Sequence, residues 1–509
     1  MRSKWSVAVA ALLLLLPGCD GVFSGKNKSF SQSALQDAGA DKQVSRFYQL
    51  RQGRAAWDDK ARKQLEEAVD EAGRHALKAA DFSTDVKGMD GAHKEVALTK
   101  SALRYASALA YGLINPKTLW PIYTVPKNRV DLVQGLNSAI DAGNVAGWIA
   151  GLAPHDPEYQ ALSDAYLQYR QRAAQTPRVR VPPGSPIMPG KRDPRVPAIV
   201  AALQAQGYFG VSPQEQANAE ATKPVDPARY TRSIAAAVSL LQADYGIKAD
   251  GIIADDTLEA LNTGPTDRAR ILAVNLERRR WLERNPPPTR IDVNTAAAFL
   301  EYWRDGSPVD ARRVVVGQGG WETPQIGSPL RRLVTNPPWR VPDKIAEKEI
   351  LPKGAGYMAR MDMHYENGRI VQAAGPESAL GLVKLDLDNP FFIYLHDTPA
   401  KALFAQEDRH ASHGCIRVDN ALDFARMIAM DEGVPDDFET ALASGNEADV
   451  ALPHPIPVRL LYHSAYLENG RIVFRPDPYG WDDQLAQALG LGMQVRQRVK
   501  PLERGDVGP

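Results

Sequence analysis

The stretch RHASHGCIRV, from Arg409 to Val418, contains Cys415, the residue with the greatest capacity for chemistry. It is one of 2 cysteines in 509 residues. A free thiol has a pKa of about 8.5, so only a few per cent of it is thiolate at neutral pH. A neighbouring imidazole makes the thiol a nucleophile by taking its proton. His396 precedes Cys415 by 19 residues, and a loop of this length can bring the two side chains together.

Gly414 comes immediately before the thiol and has its own use in this chemistry. Glycine lets the backbone approach a bound carbonyl group and turn its amides inward, as an oxyanion hole requires. An upstream histidine followed by His-Gly-Cys therefore predicts acyl transfer through a covalent intermediate. Packing in a core is the alternative explanation for any free cysteine.

Zinc binding is a second interpretation, because His396, His410, His413 and Cys415 are all potential ligands. However, HASHGC crowds three of these donors into six residues, and the rest of the chain supplies no familiar second pair of ligands. We therefore expect neither a metal nor an organic cofactor.

The N-terminus has the pattern of an export signal. Arg2 and Lys4 supply positive charge, and the apolar run from Val7 to Leu16 is too short to span a bilayer comfortably. The export signal places the rest of the chain in an oxidising compartment, where cysteines normally pair.

The LPGCD that follows resembles a bacterial lipobox, in which the cysteine, here Cys19, is lipidated and becomes the first residue of the mature protein. Pro17 departs from the usual small residue, so ordinary signal cleavage and an uncleaved anchor are the alternatives. Asp20 resembles the inner-membrane retention signal of some bacterial lipoproteins. We expect a periplasmic lipoprotein anchored in the membrane through Cys19, with Asp20 suggesting the inner membrane. Cys415 then has no disulfide partner.

Chain length and net charge limit the number of domains and the kinds of partner that we expect. The chain exceeds the roughly 250–300 residues at which a single hydrophobic core stops growing, so about two to four domains are expected. Basic and acidic residues balance at 61 each, which gives no electrostatic reason to expect a nucleic-acid partner.

The periodicity of apolar residues divides the chain. Helical spacing dominates ALTKSALRYASALAYGLI, whereas strand-like alternation begins near Arg290 and is clear in VKLDL. Two Asn-Gly pairs, at 367–368 and 469–470, predict hairpins. The predicted fold class is α+β multidomain, with a β-rich, β-sandwich-like C-terminal domain. The predicted parts are a signal peptide (1–18), a lipidated tether (19–45), a helical scaffold (46–175), a linker (176–191), a three-helix unit (192–264), a connecting helix (265–287), the β-rich domain (288–482) with a lid segment at about 336–375, and a C-terminal tail (483–509).

The three-helix unit resembles the peptidoglycan-binding domain through LLQADYGIKADGIIADDTLEAL, with a helix predicted to begin at Asp255 or Asp256. A plain helical spacer is the alternative. The charged, amphipathic segment from Arg268 to Leu282 predicts the connecting helix. Further on, alternation in IYLHD predicts that Phe392, Tyr394 and His396 share one face of a strand.

His396 and SHGCIRV (412–418) resemble the signature of the L,D-transpeptidase catalytic domain, a histidine followed by [Ser/Thr]-His-Gly-Cys. The stretches NPPWRVP, GPESALGLVKLDLDN, YLHDTP and FRPDPYGWD are similar to the large Gram-negative members of that family. RFYQLRQGRAAW and LAPHDPEYQAL resemble their helical scaffold, so the resemblance covers nearly the whole mature chain.

The resemblance implies a reaction and roles. Cys415 would attack the carbonyl between the third and fourth residues of a peptidoglycan stem tetrapeptide, releasing D-alanine and leaving a thioester. His396 would be the general base, oriented by a main-chain carbonyl, that of Asp397. An amine of a second stem's diaminopimelate would then form a 3,3 cross-link. The implied oxyanion site consists of the amides of His413, Gly414 and Cys415 with the hydroxyl of Tyr394.

The neighbours of the thiol have two interpretations each. His413 either shapes the loop or transfers protons, and Tyr394 is either a site residue or a half-exposed strand aromatic. Arg417 and Arg409 either bind carboxylates of the acidic stem peptide or hold the loop through salt bridges. Ser412 is grouped with them as a substrate-binding residue.

Trp339 belongs to the predicted lid segment and either contacts substrate or packs within the lid. A lid excludes water, which favours an amine acceptor over hydrolysis.

Other functions compatible with these residues are an L,D-carboxypeptidase, an enzyme that attaches or detaches a lipoprotein at the wall, and a catalytically silent peptidoglycan-binding scaffold. The expected partners are peptidoglycan stem tetrapeptides, the membrane through the anchor at Cys19, and a carboxypeptidase that supplies tetrapeptides. No nucleic acid is expected.

Overall fold

Helices give way to strands near Arg290, where the apolar periodicity changes. The computed structural model describes residues 28–210 and 226–492. The predicted signal peptide, the lipidation site Cys19 and most of the predicted C-terminal tail lie outside the described residues. Within them, no helix is both long and apolar enough to cross a bilayer.

The helices begin and end as follows. Before the β-rich region they are Gln32–Asp37, Lys42–Leu50, Asp59–Asp70, Gly91–Tyr111, Leu132–Asp141, Val145–Ala150, Pro157–Gln175, Val196–Gln206, Arg232–Asp244, Asp255–Asn262 and Pro265–Trp281. Later helices are Asp343–Ile345, Ala355–Arg360, Ala421–Asp431, Pro435–Ala443 and Trp481–Ala488. The predicted helix start at Asp255 is confirmed, and the helix Trp481–Ala488 extends into the segment predicted as a tail.

The strands follow the same order along the chain. They are β1 (Arg290–Asn294), β2 (Phe299–Arg304), β3 (Ser307–Gly317), β4 (Gly327–Thr335), β5 (Trp339–Arg340), β6 (Met363–Glu366), β7 (Arg369–Gln372), β8 (Val383–Leu387), β9 (Leu395–His396), β10 (His410–Ser412), β11 (Ile416–Val418), β12 (Ala448–Leu461), β13 (Ala465–Glu468) and β14 (Arg471–Phe474).

The chain forms two compact units. The first contains the residues up to 67, together with 83–103 and 131–148, and the second contains 68–82, 104–130 and the chain from 149 onward. In the first unit the buried Glu95 carboxylate accepts hydrogen bonds from the Tyr48 hydroxyl and the Ala56 amide, both at 2.7 Å. Trp57 donates its indole N–H to Thr99 at 2.9 Å. Buried polar groups are therefore paired in this small helical core.

In the second unit, one sheet has the strand order β10-β3-β11-β9-β8-β4-β12-β1-β2, and β2 also pairs with β3. The sheet thus closes on itself through β2 and β3, while β10 pairs with β3 alone. Its apolar interior is shared with the helices Ala421–Asp431 and Pro435–Ala443. The β-rich, α+β fold is confirmed; the closed sheet takes the place of the two facing sheets that a sandwich would have.

Both predicted hairpins are present. Asn367 and Gly368 have φ values of 50° and 80° between β6 and β7, and Asn469 and Gly470 have 49° and 76° between β13 and β14. Two successive residues of positive φ match the turn type that favours Asn-Gly in tight hairpins. The first hairpin joins β5 in a three-stranded sheet within the predicted lid segment.

The helix Pro265–Trp281, called the central helix below, corrects the expectation of an amphipathic connector. It is buried on almost all sides, including most of its charged residues. Arg278 pairs with Asp482 at 2.5 Å, and Arg280 pairs with Glu277 at 2.6 Å, with every one of these side chains at most 1% exposed. Pairing with a carboxylate offsets the cost of burying these charges.

Arg268 of the central helix is also fully buried, within a cage of aromatic rings. Its guanidinium carbon lies 5.7 Å from the ring centre of Tyr169, 5.4 Å from Tyr208, 5.2 Å from Tyr245 and 4.5 Å from Phe474. Cation–π contacts of this kind contribute about 2 kcal/mol or more when desolvated. The three-helix unit, through Tyr208 and Tyr245, is thereby joined to the rest of the second unit.

Replacing Asp482 with alanine leaves Arg278 charged and buried, which costs about 3–5 kcal/mol for pairs of this kind. We expect Asp482→Ala to lower the free energy of unfolding of the second unit by that amount in urea titrations followed by tryptophan fluorescence. Asp423→Ala is the matched control, because Asp423 is 70% exposed and lies 3.6 Å from Arg426. Equal midpoints for the two variants would contradict the role assigned to the buried pair.

Candidate active site

The parallel pairing of β9 with β11 brings the predicted base and nucleophile together. Leu395 pairs with Ile416, and His396 pairs with Arg417, so Cys415 lies one residue before the paired segment. Residues two apart in a strand face the same side. Cys415 and Arg417 therefore lie on the face that His396 occupies. The short strand β11 separates Cys415 from the helix that begins at Ala421.

His396 is fully buried and has the orientation of a general base. Its Nδ1 donates to the main-chain carbonyl of Asp397 at 2.5 Å, which confirms the partner that the resemblance implies. Asp397 is itself held by the amide of Leu382 and by Lys401. With the proton on Nδ1, the lone pair is on Nε2. Nε2 is buried and has no hydrogen-bond partner among the described residues, so it is available to take a proton.

Burial sets the protonation states of the catalytic pair. It raises the pKa of the Cys415 thiol to about 11, although hydrogen bonds from Tyr394 favour the thiolate. Burial, followed by the charge of Arg417, lowers the pKa of His396 to about 3. The resting pair is therefore a neutral thiol and a neutral imidazole at pH 7, and the thiol proton must move during attack.

Tyr394 lies against both catalytic side chains. Its ring centre is 5.5 Å from that of His396, edge to face, and its main-chain and hydroxyl groups bond to Cys415. Burial raises the pKa of the Tyr394 hydroxyl well above its usual range, so the group stays a donor. This placement agrees with the predicted oxyanion role. Phe392 does not share the face, because a φ of 58° takes it out of the strand.

The loop before the thiol is held by side-chain hydrogen bonds. Ser412 donates to the Cys415 carbonyl at 2.6 Å and accepts from the Gly414 amide at 3.1 Å. Thr323 donates to the Gly414 carbonyl at 2.8 Å, and Gly414 has a φ of 111° that only glycine adopts readily. Two predictions are corrected here. Gly414 shapes the loop, since its amide is already bonded, and the buried Ser412 positions the loop instead of touching substrate.

His413 is a contact point for the lid segment. Its Nε2 lies 2.6 Å from Glu349 Oε1, and the Trp321 ring packs edge-on at 4.7 Å between ring centres. Lys344 lies 3.7 Å above the same Trp321 ring. Glu349 belongs to a single π-helical turn, Ala346–Ile350, a geometry found frequently at functional sites. Of the two interpretations of His413, these contacts support the structural one.

Three side chains that were predicted to contact substrate make other contacts within the fold. Arg409 donates all five of its N–H groups to main-chain carbonyls, so none is left for a carboxylate. Trp339 is 1% exposed at the centre of the lid's apolar core. Arg417 is also 1% exposed, and its charge acts on His396 from within the sheet. The main-chain bonds of Arg409 and the interior positions of Arg417 and Trp339 favour the structural interpretation of each residue over direct contact with substrate.

The histidines of the zinc interpretation have other partners. His410 contacts Asp408 at 2.8 Å and the Thr295 carbonyl at 2.9 Å, while His396 and His413 bind Asp397 and Glu349. Over the described ranges 28–210 and 226–492, no three such side chains converge on a common point.

Several residues at the site carried no local signal in the sequence. Trp321, Thr323 and Glu349 come from distant segments and have no motif of their own. The position of Phe392 in a turn could have been predicted, because Asn389-Pro390 is a dipeptide that marks turns. Instead of one strand, the chain reverses there, and β8 and β9 pair antiparallel, with Lys384 opposite His396.

Comparison with known families agrees with this geometry. Residues 288–435 match the L,D-transpeptidase catalytic domain, and residues 42–165 match the Scaffold domain. The first match contains His396 and the whole of SHGCIRV. The chain thus contains a region that matches the L,D-transpeptidase catalytic domain.

An individual relative matches this chain over part of its length. A protein of Haemophilus influenzae, provisionally named an L,D-transpeptidase, is 34% identical over 220 residues, which cover 38% of this chain and 45% of the relative. The chain thus spans less than half the length of that relative.

Two solved structures are also similar. The L,D-transpeptidase from Xylanimonas cellulosilytica has 15% identity and a TM-score of 0.18, over 55% of this chain and 98% of its own. The Ldtfm-avibactam carbamoyl enzyme has 13% identity and a TM-score of 0.19, over 35% and 51%. These scores are too low to align individual residues.

The protonation states can be tested by alkylation with iodoacetamide in a Cys19→Ser variant, where Cys415 is the only cysteine. Below a thiol pKa of about 11, the thiolate fraction rises about tenfold per pH unit. We expect the alkylation rate to rise in that proportion between pH 7 and pH 9. Free cysteine, the control, levels off above its pKa of about 8.5. An alkylation rate that no longer changes with pH at pH 7 would indicate a preformed ion pair between Cys415 and His396 and would contradict this assignment.

The contact between Glu349 and His413 can be tested through the lid. Glu349→Ala removes a charge-assisted hydrogen bond worth about 1.5–3 kcal/mol. The lid segment should therefore open at least about tenfold more often. We expect trypsin to cleave after Lys344, Lys348 or Lys353 faster by that factor, as measured by mass spectrometry. Glu347→Ala, in the same helical turn but exposed, is the matched control. The same cleavage rate in both variants would show that Glu349 does not hold the lid.

Proposed function

We propose that this protein is a cysteine-dependent L,D-transpeptidase that cross-links peptidoglycan stem peptides. The observation that carries the proposal is the buried Nε2 of His396, which has no hydrogen-bond partner in the described part of the chain. His396 lies on the strand paired with β11, which begins just after Cys415. The match to the catalytic domain over residues 288–435 supports the reaction class.

The first half-reaction transfers an acyl group to the thiol. The Cys415 proton passes to His396 Nε2 as Sγ attacks the carbonyl carbon between the third and fourth residues of a stem tetrapeptide. The Tyr394 hydroxyl, which stays protonated, donates to the developing oxyanion. The C–N bond breaks, and D-alanine leaves with the proton from His396. A thioester on Cys415 remains.

The second half-reaction returns the enzyme to its resting state. The side-chain amine of a second stem's diaminopimelate adds to the thioester carbonyl, the C–S bond breaks, and the amine proton reaches Sγ through His396. The product is a 3,3 link. Burial of His396 and the lid contact at His413 support an amine acceptor over water, because both keep bulk water away from the thioester.

The setting of this reaction is also proposed. Export, with lipidation at Cys19 and retention at the inner membrane through Asp20, rests on the sequence alone, as does a carboxypeptidase partner that supplies tetrapeptides. The three-helix unit binds the glycan-peptide mesh in this proposal, which its resemblance to a peptidoglycan-binding domain supports.

Loss of the thiol tests the reaction. We expect Cys415→Ala to release no D-alanine and to form no cross-linked dimer from a defined tetrapeptide muropeptide, as measured by mass spectrometry. His396→Gln should slow D-alanine release about 100- to 10,000-fold, the usual contribution of a general base. His454→Gln is the control, because His454 is 87% exposed. An undiminished yield of product from Cys415→Ala would contradict the proposed mechanism.

A further inference from the structure

One segment of the chain contacts each residue of the turn that precedes the proposed nucleophile. We call it the support loop; it consists of residues 318–323, directly after β3. The Gln318 amide donates to the Ser412 carbonyl at 2.9 Å. The Trp321 ring packs edge-on against the His413 ring, with 4.7 Å between ring centres. The third residue of the turn is bound by a hydroxyl group.

That hydroxyl belongs to Thr323, the last residue of the support loop. It accepts a hydrogen bond from the Gly317 amide at 2.9 Å and donates its own hydrogen to the Gly414 carbonyl at 2.8 Å. An amide can only donate and a carbonyl can only accept, so the direction of both bonds is fixed. Thr323 is 0% exposed, and bulk water therefore does not compete for either bond.

Gly317 lets the support loop fold back onto the end of β3. A Cβ atom at this position would overlap the Trp321 carbonyl oxygen and would lie 2.7 Å from the Thr323 amide nitrogen. Glycine avoids both clashes, and neither neighbouring atom belongs to a flexible side chain that could move aside. Backbone packing therefore sets the position of Thr323 relative to the turn before the thiol.

A second hydroxyl holds this arrangement from outside the matched catalytic domain. Tyr479, in the stretch FRPDPYGWD, donates to the Gly317 carbonyl at 2.6 Å and accepts from the Thr323 amide at 3.4 Å. Its ring packs against those of Tyr462 and Trp481, at 5.4 Å and 4.9 Å between ring centres. Burial raises the pKa of the Tyr479 hydroxyl above its usual range, so the group remains a donor at neutral pH.

The Gly414 carbonyl and the Cys415 amide are two ends of one peptide group. A peptide group is planar and almost always trans, so its N–H points opposite to its C=O. Because glycine leaves the backbone free to rotate, an external bond is needed to fix this peptide, and Thr323 supplies it. The Gly414 amide already donates to Ser412 at 3.1 Å, which increases the importance of the Cys415 amide for binding an oxyanion.

We propose that Thr323 is a positioning residue for the oxyanion of the acylation step, and that Tyr479 holds Thr323 in place. By fixing the Gly414 carbonyl, Thr323 directs the Cys415 amide at the negative charge that develops on the substrate carbonyl oxygen. Neither Thr323 nor Tyr479 touches substrate or transfers a proton. The proposal rests on the proposed function, since an oxyanion forms only if Sγ attacks a carbonyl group.

The size of the expected effect follows from the distance between Thr323 and the reacting atoms. Loss of one oxyanion donor lowers kcat about 100- to 1,000-fold. A residue that only aims the donor contributes less, and a misplacement of about 1 Å costs up to about 100-fold. We expect Thr323→Val to lower the maximal rate of acyl-enzyme formation about 10- to 100-fold. The tetrapeptide concentration that gives half the maximal rate should not change, because the lost interaction is made only in the transition state.

The experiment compares two reactions of Cys415 in the full-length protein that carries Cys19→Ser. One is acyl-enzyme formation with a defined tetrapeptide muropeptide, followed by mass spectrometry, and the other is alkylation by iodoacetamide. Alkylation uses the same thiol, but Sγ displaces iodide from a saturated carbon and no oxyanion forms. We expect Thr323→Val to be alkylated at the wild-type rate and with the same pH profile, although its acylation is slow.

Three further variants separate the hydroxyl from its surroundings. Thr323→Ser keeps the hydroxyl and should restore most of the acylation rate. Tyr479→Phe keeps the ring and removes the second hydroxyl, so it should slow acylation about tenfold, the effect of one hydrogen bond, with alkylation unchanged. Thr295→Val is the matched control, because Thr295 is also 0% exposed and donates to a main-chain carbonyl, that of Leu461, at 3.0 Å. Its acylation rate should equal that of the wild type.

The opposite outcomes overturn the proposal. Acylation of Thr323→Val at the rate of Thr295→Val would show that the hydroxyl has no role. A parallel loss of acylation and alkylation would show a general distortion of the turn, and Thr323→Ser as slow as Thr323→Val would assign the effect to packing. A wild-type acylation rate in Tyr479→Phe would remove Tyr479 from the proposal. If the protein with Cys19→Ser alone forms no acyl-enzyme, the proposed function is refuted, and this role with it.

Discussion

The proposed chemistry depends on one short pairing, in which the two residues of β9 lie parallel to β11. Because β9 lies between β8 and β11, and β11 lies between β9 and β3, both partners are internal strands of a closed sheet. A shift of one residue would turn His396 to the opposite face from Cys415. The closed sheet and its core therefore fix the register that the catalytic pair requires.

Burial has opposite consequences in different parts of the second unit. In the central helix, Arg278 and Arg280 remain charged because carboxylates accompany them into the interior. At the active site no carboxylate faces His396 Nε2, and the catalytic pair is neutral. In the proposed mechanism the nucleophile is therefore stored as a thiol, which is less prone to oxidation than a thiolate. Arrival of a carbonyl group creates the need for proton transfer.

The sequence predicted the fold class, both Asn-Gly hairpins and the catalytic pair, because these depend on local periodicity, turn chemistry and a motif. The substrate-binding roles of Arg409, Arg417, Ser412 and Trp339 stay predictions, since only tertiary packing decides whether such a side chain faces solvent or a core, and here all of them except Arg409 are buried. The central helix was mistaken for a connector for a related reason: its charges are satisfied by Asp482 and Glu277, and the former is distant in sequence. The roles of Cys415 and His396 in catalysis stay predictions.

The aromatic cage of Arg268 has a consequence for how such chains can be divided. Its rings come from the helix Pro157–Gln175, the three-helix unit and the strand β14, around a cation on the central helix. A fragment cut after the three-helix unit would retain the guanidinium and lose Tyr208 and Tyr245. The three-helix unit, which looks modular in the sequence, is therefore packed into the tertiary structure around this arginine, and removing it would expose the buried charge.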